Sequence, residues 1–375
     1  MTGAAESGAN APGPVIMVAA GELFAGAERQ ILALLVRLRA DGYEPTLAVF
    51  HDRELAARAR TLGLATIVLP GSGAFRRPAI KHIAELVRTR NAGIVHFHGY
   101  KAALHVALAR AITPFHCVVT IHGAPEFGGP LSGQLRALLY DRCERLAIRA
   151  TRARIVFVTQ ELVKKLPGLA GKGAYAVIPN GIDPQTVTDL ARPAELDPTH
   201  FNVVIVGRLD TVKGVKFAIQ ALQDPRIAPA VHLWIVGDGP ERASLQEQIA
   251  AAGLGGRVGF TGFRADAAAF IAHADLLLMP SLHEGLPYTM LEALAAATPI
   301  AASRVGGLAE TLEDSRTAFL FPVADVHAIA STIAKVASDP ALAEQTAQRA
   351  HSELFPRFDA AIMARSYEGI YRSVG

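Results

Sequence analysis

The sequence predicts an α/β protein built from two doubly wound, Rossmann-like domains that face each other across a cleft. The chain has 375 residues, which is enough for two or three domains of ordinary size. Short runs of β-branched and apolar residues alternate with helical patterns of about ten or more residues, as in parallel sheets covered by helices. This alternation stops once, in turn-rich sequence between residues 179 and 198, and then starts again. A fold of two α/β domains follows from these observations.

The N-terminal domain is predicted to span residues 15–190, with helices that include Ala27–Ala40 and Ala79–Thr89. Residues 1–14 are rich in Gly and Ala, and we expect them to be disordered. The predicted strands of this domain are Val15–Ala20, Pro45–Phe50, Thr66–Leu69, Ile94–His96, Cys117–Ile121, Ile155–Thr159 and Ala176–Ile178.

The C-terminal domain is predicted to span residues 191–355, after a linker that includes Arg192–Pro198. Its predicted strands are Asn202–Val206, Leu233–Val236, Val258–Phe260, Leu276–Met279, Ile300–Ala302 and Phe319–Phe321. Its helical patterns are Gly214–Ala221, Glu241–Ala252, Tyr288–Ala297 and Val326–Ala337. Residues 356–375 are predicted to form a helix that packs back across the domain interface through Tyr367, Ile370 and Tyr371.

Composition excludes several classes of protein. The chain is 51% hydrophobic and 19% charged, which is typical of globular proteins. No apolar run reaches the ~18–20 residues that a membrane-spanning helix needs, and the apolar stretch Val15–Ala20 is too short for a secretory signal. The only cysteines, Cys117 and Cys143, cannot make a disulfide scaffold or a Cys₄ zinc site. We therefore expect a cytoplasmic protein.

Charge is unevenly divided along the chain. Residues 1–190 hold 22 Lys and Arg against 14 Asp and Glu, whereas residues 191–375 hold 15 against 20. In the basic half, four arginines recur at helical spacing and form one stripe: Arg142, Arg145, Arg149 and Arg152. Such a stripe is either a solvated helix face or a surface for an anionic partner.

The most informative motif is Glu284-Gly-Leu-Pro-Tyr-Thr-Met-Leu-Glu292, which follows a predicted strand. Glu284 falls in a Gly/Pro loop and Glu292 a turn into the next helix, so both carboxylates are expected to face the N-terminal end of that helix. Backbone N–H groups and the helix dipole favour an anion such as phosphate there, beside carboxylates that suit sugar hydroxyls. The residues that would line this end are Gly285, Leu286 and Pro287. The alternative is a pair of surface glutamates.

A second motif, Gly207-Arg-Leu-Asp-Thr-Val-Lys-Gly214, directly follows the predicted strand Asn202–Val206. Arg208 offers a planar fork and Lys213 a point charge, a combination that suits a diphosphate at a strand end. The alternative is two surface basic residues with Asp210 as their ion-pair partner.

Two features of the first half are candidates for substrate contact. His122 stands at the carboxyl end of a predicted strand, where its balance between neutral and cationic forms near pH 7 suits a sugar or a developing charge. Gly26 closes a loop of small residues that opens a helix and lets a substrate approach the backbone. His96 and His98 lie at the end of another predicted strand, and we expect both to be structural.

Together these motifs resemble the family-4 glycosyltransferases (GT4), retaining enzymes of the GT-B type with two Rossmann-like domains. The resemblance spans nearly the whole chain. It rests on five motifs in order: Gly26-Ala-Glu-Arg-Gln30, Pro179-Asn-Gly-Ile-Asp183, Gly207-Arg-Leu209 with Lys213-Gly214, Gly237-Asp-Gly-Pro240, and Glu284-x₇-Glu292.

The resemblance implies that the N-terminal domain holds the acceptor and the C-terminal domain the nucleotide-sugar donor. It also implies a role for each matching residue. Glu284 would contact hydroxyls of the donor sugar, Glu292 would hold the ribose, and the basic pair of the second motif would neutralise the diphosphate. His122 would lie by the transferred sugar, and the loop around Gly26 between donor phosphate and acceptor. The predicted catalytic residues are thus His122, Glu284, Arg208 and Lys213. The predicted donor-binding residues are Gly26, Gly207, Arg208, Lys213, Glu284, Gly285, Leu286, Pro287 and Glu292.

The implied reaction moves a sugar, with retention of configuration, from a nucleotide-diphosphate sugar such as a UDP- or GDP-sugar to a glycan or lipid-linked glycan. No cofactor is expected, and no metal, since the sequence has no Asp-x-Asp motif for Mg²⁺. The expected partners include an anionic membrane surface, at the inner face of the cytoplasmic membrane, and no nucleic acid. Two alternatives stay open: an epimerase or hydrolase of nucleotide sugars on the same fold, and a sugar-nucleotide-binding protein without catalysis. A nicotinamide dehydrogenase is disfavoured because no Gly-x-Gly-x-x-Gly follows a strand.

Overall fold

The computed structural model describes residues 13–22, 24–73, 75–123, 131–170 and 175–374, with side chains from residue 138 onward in the helix that begins at residue 131. Most of the predicted disordered segment, residues 1–14, lies outside the described residues. Pro14 departs from that prediction, because it is the first residue of a strand.

The chain divides into two compact units. Unit 1 comprises residues 1–179 and 363–375, and unit 2 comprises residues 180–362. This division differs from the predicted boundaries at residues 190 and 355. Residues just after Pro179 bind within unit 2: Asn180 Nδ2 donates to the Leu286 carbonyl at 3.1 Å, and Ile182 N donates to the Phe358 carbonyl at 2.8 Å.

Unit 1 contains one parallel sheet of seven strands in the order β3-β2-β1-β4-β5-β6-β7. The strands are β1 (Pro14–Ala19), β2 (Glu44–Val49), β3 (Ala65–Val68), β4 (Ile94–His98), β5 (His116–Ile121), β6 (Arg154–Phe157) and β7 (Tyr175–Val177). The helices that follow them are α1 (Gly26–Ala40), α2 (Glu54–Thr61), α3 (Arg77–Arg90), α4 (Gly99–Arg110), α5 (Leu131–Thr151), α6 (Gln160–Lys165) and α7 (Pro167–Ala170).

Unit 2 contains a parallel sheet of six strands in the order β10-β9-β8-β11-β12-β13. The strands are β8 (Phe201–Val206), β9 (Val231–Val236), β10 (Val258–Gly262), β11 (Leu276–Met279), β12 (Ile300–Ser303) and β13 (Phe319–Phe321). The helices are α8 (Val215–Ala221), α9 (Arg242–Ala251), α10 (Ala267–Ala272), α11 (Tyr288–Ala296), α12 (Gly306–Thr311), α13 (Val326–Ser338) and α14 (Pro340–Leu354), with short 3₁₀ helices at Pro184–Val187, Thr211–Lys213 and Phe355–Phe358. The last helix, α15 (Ala360–Val374), belongs to unit 1 from Met363 onward.

Both sheets are covered on both faces, which is why their strands are nearly continuous apolar runs. In β1, Ile16 and Val18 join one buried cluster, whereas Val15, Met17 and Ala19 join another on the opposite face. Strand β11 alternates in the same way between two clusters of unit 2. Two doubly wound Rossmann-like domains are therefore confirmed, with the predicted seven and six strands.

Residues from the end of α15 complete the core of unit 1. Tyr367 and Tyr371 are fully buried there, and both belong to a hydrogen-bonded network. The Thr120 hydroxyl lies 2.8 Å from the Tyr367 hydroxyl and 2.8 Å from His96 Nε2, while His96 Nδ1 lies 2.8 Å from the Tyr371 hydroxyl. Gln30 Nε2 donates to the Tyr367 hydroxyl at 3.1 Å. Because an unpaired polar group in a core is costly, this network fixes the position of α15 on unit 1.

In each sheet the strand order reverses at one point, between β1 and β4 and between β8 and β11. Ligands of doubly wound folds bind outside the carboxyl ends of the strands at this point. A ligand-binding site is therefore expected in the loops after β1 and β4 and in those after β8 and β11.

Candidate functional site

The loops after β8, β9 and β11 are held together by their backbones. Leu209 N donates to the Asp238 carbonyl and Glu241 N to the Leu209 carbonyl, both at 3.0 Å. Leu282 N donates to the Val212 carbonyl at 2.7 Å. The segments that carry the predicted basic and acidic residues of unit 2 thus form one rigid edge.

Two glycines allow these loops to approach so closely. Gly214 has φ +64°, and a Cβ built there would overlap the carbonyl oxygen of Pro280. Gly237 has φ +142°, and its Cβ would overlap the carbonyl oxygen of Gly207. A side chain at either position would push apart the backbones that carry the site.

Lys213 and Glu284 form an ion pair at the edge of the unit 2 sheet. Lys213 Nζ lies 2.6 Å from Glu284 Oε1, and the Ser281 hydroxyl donates to the same oxygen at 2.8 Å. The side chain of Lys213 is 27% exposed and that of Glu284 is 9% exposed. The structure therefore brings together one predicted cation and one predicted carboxylate, both with some access to solvent.

Arg208 and Gly207 lie on the same loop, but Arg208 is not held in place. Its side chain is 65% exposed, and its Nε lies 4.0 Å from Asp210 Oδ2. Gly207 packs beside the stem of Lys213, whose Cε would lie 3.4 Å from a Cβ at that position. Arg208 is thus able to turn toward a ligand, whereas Lys213 is fixed.

The segment from Glu284 to the start of α11 forms a structured turn. The Glu284 carbonyl accepts from Gly307 N at 3.2 Å, and the Leu286 carbonyl accepts from Asn180. Gly285 is half-buried, and Pro287 is the N-cap of α11. The first N–H groups of a helix have no acceptor within it, so this end favours an anion.

Glu292 lies in the second turn of α11 and is 3% exposed. Its predicted contact with a ribose stays a prediction. So does its expected orientation toward the same helix end as Glu284.

In unit 1, His122 follows β5 and lies beside His98, which was predicted from the sequence to have only a structural role. His98 Nδ1 lies 2.9 Å from His122 Nε2. His98 ends β4, the neighbour of β5 in the sheet. The position of His98 at the carboxyl end of a strand, like that of His122, is the sequence feature that could have identified it as a site residue.

The expectation that His122 balances between neutral and cationic forms near pH 7 is wrong. Burial lowers the pKa of His122 to about 4. Burial also lowers the pKa of His98 well below its ordinary value, with smaller contributions from His96 and His122. At neutral pH both rings are uncharged, because among the described residues no group of opposite charge offsets the cost of burying an imidazolium.

The shared hydrogen bond couples the tautomers of the two rings. Nε2 of His98 and Nδ1 of His122 are buried and have no hydrogen-bond partner among the described residues. Because one hydrogen lies between the rings, one of these outer nitrogens is a donor and the other an acceptor. The pair is therefore suited to hydrogen bonding rather than to supplying charge.

Gly26 is the first residue of α1, in unit 1. Just before it, Ala25 N donates to Glu28 Oε2 at 3.0 Å, which is one half of a capping box; Ala25 has no side-chain oxygen to form the other half. Burial raises the pKa of the Glu28 carboxyl, which backbone hydrogen bonds partly offset. The other predicted donor-binding residues lie in unit 2.

The arginine stripe lies on or beside α5, with apolar neighbours on the surface. Leu139 is 59% exposed and Leu146 is 64% exposed. Arg142 and Arg149 are exposed, whereas Arg145 forms an ion pair with Asp141 at 2.8 Å. Arg152 lies just past the end of the helix.

Two negative findings apply to the described residues only. No helix among them is long and apolar enough to cross a membrane. No three of their His, Cys, Asp and Glu side chains come together as a metal site would require.

Comparison with known proteins gives two family matches and several relatives. The family model described as "Glycosyltransferase Family 4" matches residues 24–186, and the one described as "Glycosyl transferases group 1" matches residues 188–353. A 2-deoxystreptamine glucosyltransferase of Streptomyces kanamyceticus is 31% identical over 351 residues, 86% of this chain and 89% of that protein. The lipopolysaccharide core biosynthesis glycosyltransferase LpsE of Rhizobium meliloti (strain 1021) is 31% identical over 57% of this chain and 62% of its own length.

Among solved structures, Anabaena HepE in complex with UDP and glucose superposes with a TM-score of 0.82. It is 21% identical, and the match covers 96% of this chain and 99% of HepE. WaaG, a glycosyltransferase involved in lipopolysaccharide biosynthesis, gives a TM-score of 0.72 at 17% identity, over 95% of this chain and 99% of WaaG. The fold described above is therefore that of GT-B glycosyltransferases.

Proposed function

The chain belongs to glycosyltransferase family 4, and from this premise we propose that it transfers a sugar from a nucleotide-diphosphate sugar to a glycan or lipid-linked glycan. The proposed donor is a UDP- or GDP-sugar, the anomeric configuration is retained, and neither a metal nor a cofactor takes part. That the protein is a glycosyltransferase follows from its relatives. The donor class, the stereochemistry and the acceptor are parts of the proposal.

The observation that carries the proposal is the Lys213–Glu284–Ser281 group before the N-terminus of α11. A diphosphate needs positive charge and N–H donors, which the ammonium, the mobile Arg208 and the first turn of α11 supply. A sugar needs hydrogen-bond acceptors, which the Glu284 carboxylate supplies. Both kinds of group lie side by side here, as a nucleotide sugar requires.

In the proposed reaction, the bond between the anomeric carbon and the diphosphate breaks first. Negative charge then grows on the leaving phosphate, and Lys213, Arg208 and the helix end stabilise it. The Glu284 carboxylate accepts hydrogen bonds from sugar hydroxyls through Oε2, the oxygen that neither Lys213 nor Ser281 contacts. The acceptor hydroxyl attacks on the face that the diphosphate leaves, and its proton passes to a phosphate oxygen.

The uncharged His98–His122 pair has a different role in this scheme. A neutral ring neither repels the developing positive charge of the sugar nor competes for its leaving group. For the pair to hydrogen bond to a sugar hydroxyl, the buried outer nitrogen of His122 has to become accessible when the donor binds.

The test is a thermal-unfolding series with UDP-, GDP- and ADP-sugars, with and without EDTA. A ligand present at ~100 times its Kd should stabilise the folded state by ~2.7 kcal/mol. We expect one nucleotide series to stabilise the protein equally well with EDTA. No stabilisation by any of them, or turnover abolished by EDTA, would contradict the proposal.

Acceptor-free turnover separates the two alternative functions. An epimerase or hydrolase of nucleotide sugars consumes donor without an acceptor, and a binding protein consumes none under any condition. We expect donor consumption to depend on an added glycan acceptor.

The proposed location is the inner face of the cytoplasmic membrane, with α5 in contact with anionic lipid. Leu139 and Leu146 expose apolar surface beside Arg142 and Arg149, a combination that suits a bilayer interface. We expect sedimentation with phosphatidylglycerol vesicles at low salt and release at high salt. The double variant Leu139→Ser/Leu146→Ser should lose this binding, whereas Leu62→Ser, at a 43% exposed residue after α2, should not. Vesicle binding that is unaffected by salt and by the double variant would contradict the proposed membrane contact.

A further inference from the structure

A second group of cationic side chains lies at the carboxyl edge of the unit 1 sheet. Lys101 is in the first turn of α4, Arg76 is the N-cap of α3, and His51 follows β2. Lys101 Nζ lies 3.0 Å from His51 Nε2. None of these residues is needed for the proposed donor site, which lies in unit 2.

Both cations of this group are buried. Lys101 is 9% exposed and Arg76 is 7% exposed. Within the described part of the chain, neither forms an ion pair with a carboxylate. Buried cations normally have a paired acid, so the positive charge of this group is unusual in having no direct ion pair among the described residues.

The hydrogen bonds of the two cations differ. The Arg76 guanidinium donates to backbone carbonyls, from Nη1 to Phe50 at 2.6 Å and from Nε to Gly73 at 3.4 Å. Lys101 Nζ has His51 as its partner, so two of its three hydrogens have no acceptor among the described residues. Arg76 therefore contributes a fixed charge, and Lys101 contributes a charge with hydrogen-bond donors to spare.

The ring of Phe50 holds the two cations near each other. Lys101 Nζ lies 5.4 Å from its centroid and Arg76 Cζ lies 5.7 Å from it. Burial and then Arg76 lower the pKa of Lys101, and Glu22 partly opposes them. Burial, Lys101 and Arg76 lower the pKa of His51, in that order, while Glu22 opposes them. These are the shifts expected where two buried cations lie together and the Glu22 carboxylate offsets their charge only in part.

We propose that Lys101, His51 and Arg76 form a subsite for a phosphate group of the acceptor. An oxyanion there would accept the spare hydrogens of Lys101 and relieve the repulsion between two cations. A doubly charged phosphate matches this pair of charges better than a carboxylate does. The inference rests on the proposed function in one respect, namely that unit 1 holds the acceptor.

The position of the group fits an acceptor that reaches toward His122. Strand β4 ends at His98, the partner of His122, and Lys101 follows three residues later. His51 lies on the other side of β1, against the loop that begins at Gly21. The anionic group and the reacting hydroxyl would thus lie along one sheet edge.

The test measures binding of inorganic phosphate in the Arg208→Gln/Lys213→Gln background, which removes the cations of the donor site. Calorimetry should show phosphate binding in this protein, and Lys101→Gln should weaken it by about tenfold or more, as expected for a lost charged hydrogen bond. Lys81→Gln, at an exposed lysine of α3, is the matched control and should have no effect. Binding that survives Lys101→Gln would overturn the proposal.

A second measurement does not depend on a variant at position 101. In the same background, phosphate should raise the pKa of the His51 ring, followed by NMR, because a nearby anion favours the imidazolium. An unchanged His51 pKa at saturating phosphate would also overturn the proposal. Failure of nucleotide sugars to stabilise the wild-type protein would instead overturn the proposed function. The phosphate measurements on Lys101 and His51 would not be affected by that result.

Two probes distinguish the source of the phosphate. Glycerol 3-phosphate represents a soluble phosphorylated acceptor, and phosphatidic acid vesicles represent a lipid-linked one. Binding of glycerol 3-phosphate that depends on Lys101 supports the soluble source. Vesicle binding that depends on Lys101 supports the lipid.

Discussion

The polar groups at the two sheet edges differ in charge although both are largely buried. In unit 2, the Glu284 side chain forms an ion pair with the Lys213 ammonium, which lies 2.6 Å away. In unit 1, His98 and His122 lie 2.9 Å apart with no partner of opposite charge among the described residues, and burial keeps both rings uncharged. Burial alone thus removes charge, whereas burial beside an opposite charge retains it. Unit 2 is suited to bind an anion, and the histidine pair is suited to donate or accept a hydrogen bond.

The largest effect should come from removing the fixed cation of unit 2. Lys213→Ala should lower kcat/KM with the nucleotide sugar by about 100- to 1,000-fold, because a charge aimed at the leaving group is lost. Lys335→Ala, at an exposed lysine of α13, is the control and should retain activity. Equal activity of Lys213→Ala and Lys335→Ala would contradict this view of unit 2, since the Lys213–Glu284 ion pair would then make no contribution to the reaction.

The comparison also requires that the backbone under the ion pair be rigid. Gly214→Ala should reduce the free energy of unfolding by about 2–4 kcal/mol, since strain at φ +64° adds to an overlap with the Pro280 carbonyl. Gly253→Ala shares that strain, at φ +66°, but its Cβ meets nothing within 4 Å. It should therefore cost only about 1–2 kcal/mol. Urea unfolding measures both, and equal losses would mean that close packing of the loops contributes nothing.

The uncharged state of the histidines predicts how stability depends on pH. Burial lowers the pKa of His122 to about 4 and that of His96 to about 3, in each case below the unfolded value near 6.5. Between these values the unfolded chain binds protons that the folded chain does not, so stability is complete above about pH 6.5 and falls as the pH drops toward 4. His122→Gln should reduce this slope by about 1.4 kcal/mol per pH unit. His116→Gln, at an exposed residue, should leave it unchanged. Parallel slopes for all three proteins would mean that His122 is charged in the folded state.

The smallest effect should come from the partner of His122. His98→Phe should lower kcat by about tenfold, because His122 loses the group that sets its tautomer. His98→Asn should recover much of the activity, since its side chain offers a polar atom near the place of Nδ1. Recovery of activity in His98→Asn, with KM unchanged, would support a role of His98 in setting the tautomer of His122. Equal losses in Phe and Asn variants would indicate a role in packing alone.

The sequence allowed prediction of the elements far better than of their contacts. Hydrophobic periodicity predicted both sheets because each strand is covered on two faces, and β11 was predicted with its observed bounds. The loops of unit 2 were predicted as a site from residue chemistry and position after a strand. Their contact was not, because Lys213 and Glu284 are 71 residues apart.

The pairing of His98 with His122 was missed for the same reason. It depends on β4 lying beside β5, and no local pattern states strand order. The charge of His122 was predicted wrongly because composition does not show the depth of a ring in the protein. The cationic group around Lys101 was also missed, since its members come from three separate segments.

The place of Met363–Val374 in unit 1 has a consequence for synthesis of the protein. Unit 2 is one continuous stretch, so it has all its parts once residue 362 has left the ribosome. Unit 1 begins earlier but lacks Tyr367 and Tyr371, two of its largest fully buried side chains, until translation has passed them. The N-terminal half is therefore synthesised first but completed last. Its sheet lacks these two core side chains until the whole of unit 2 has been translated.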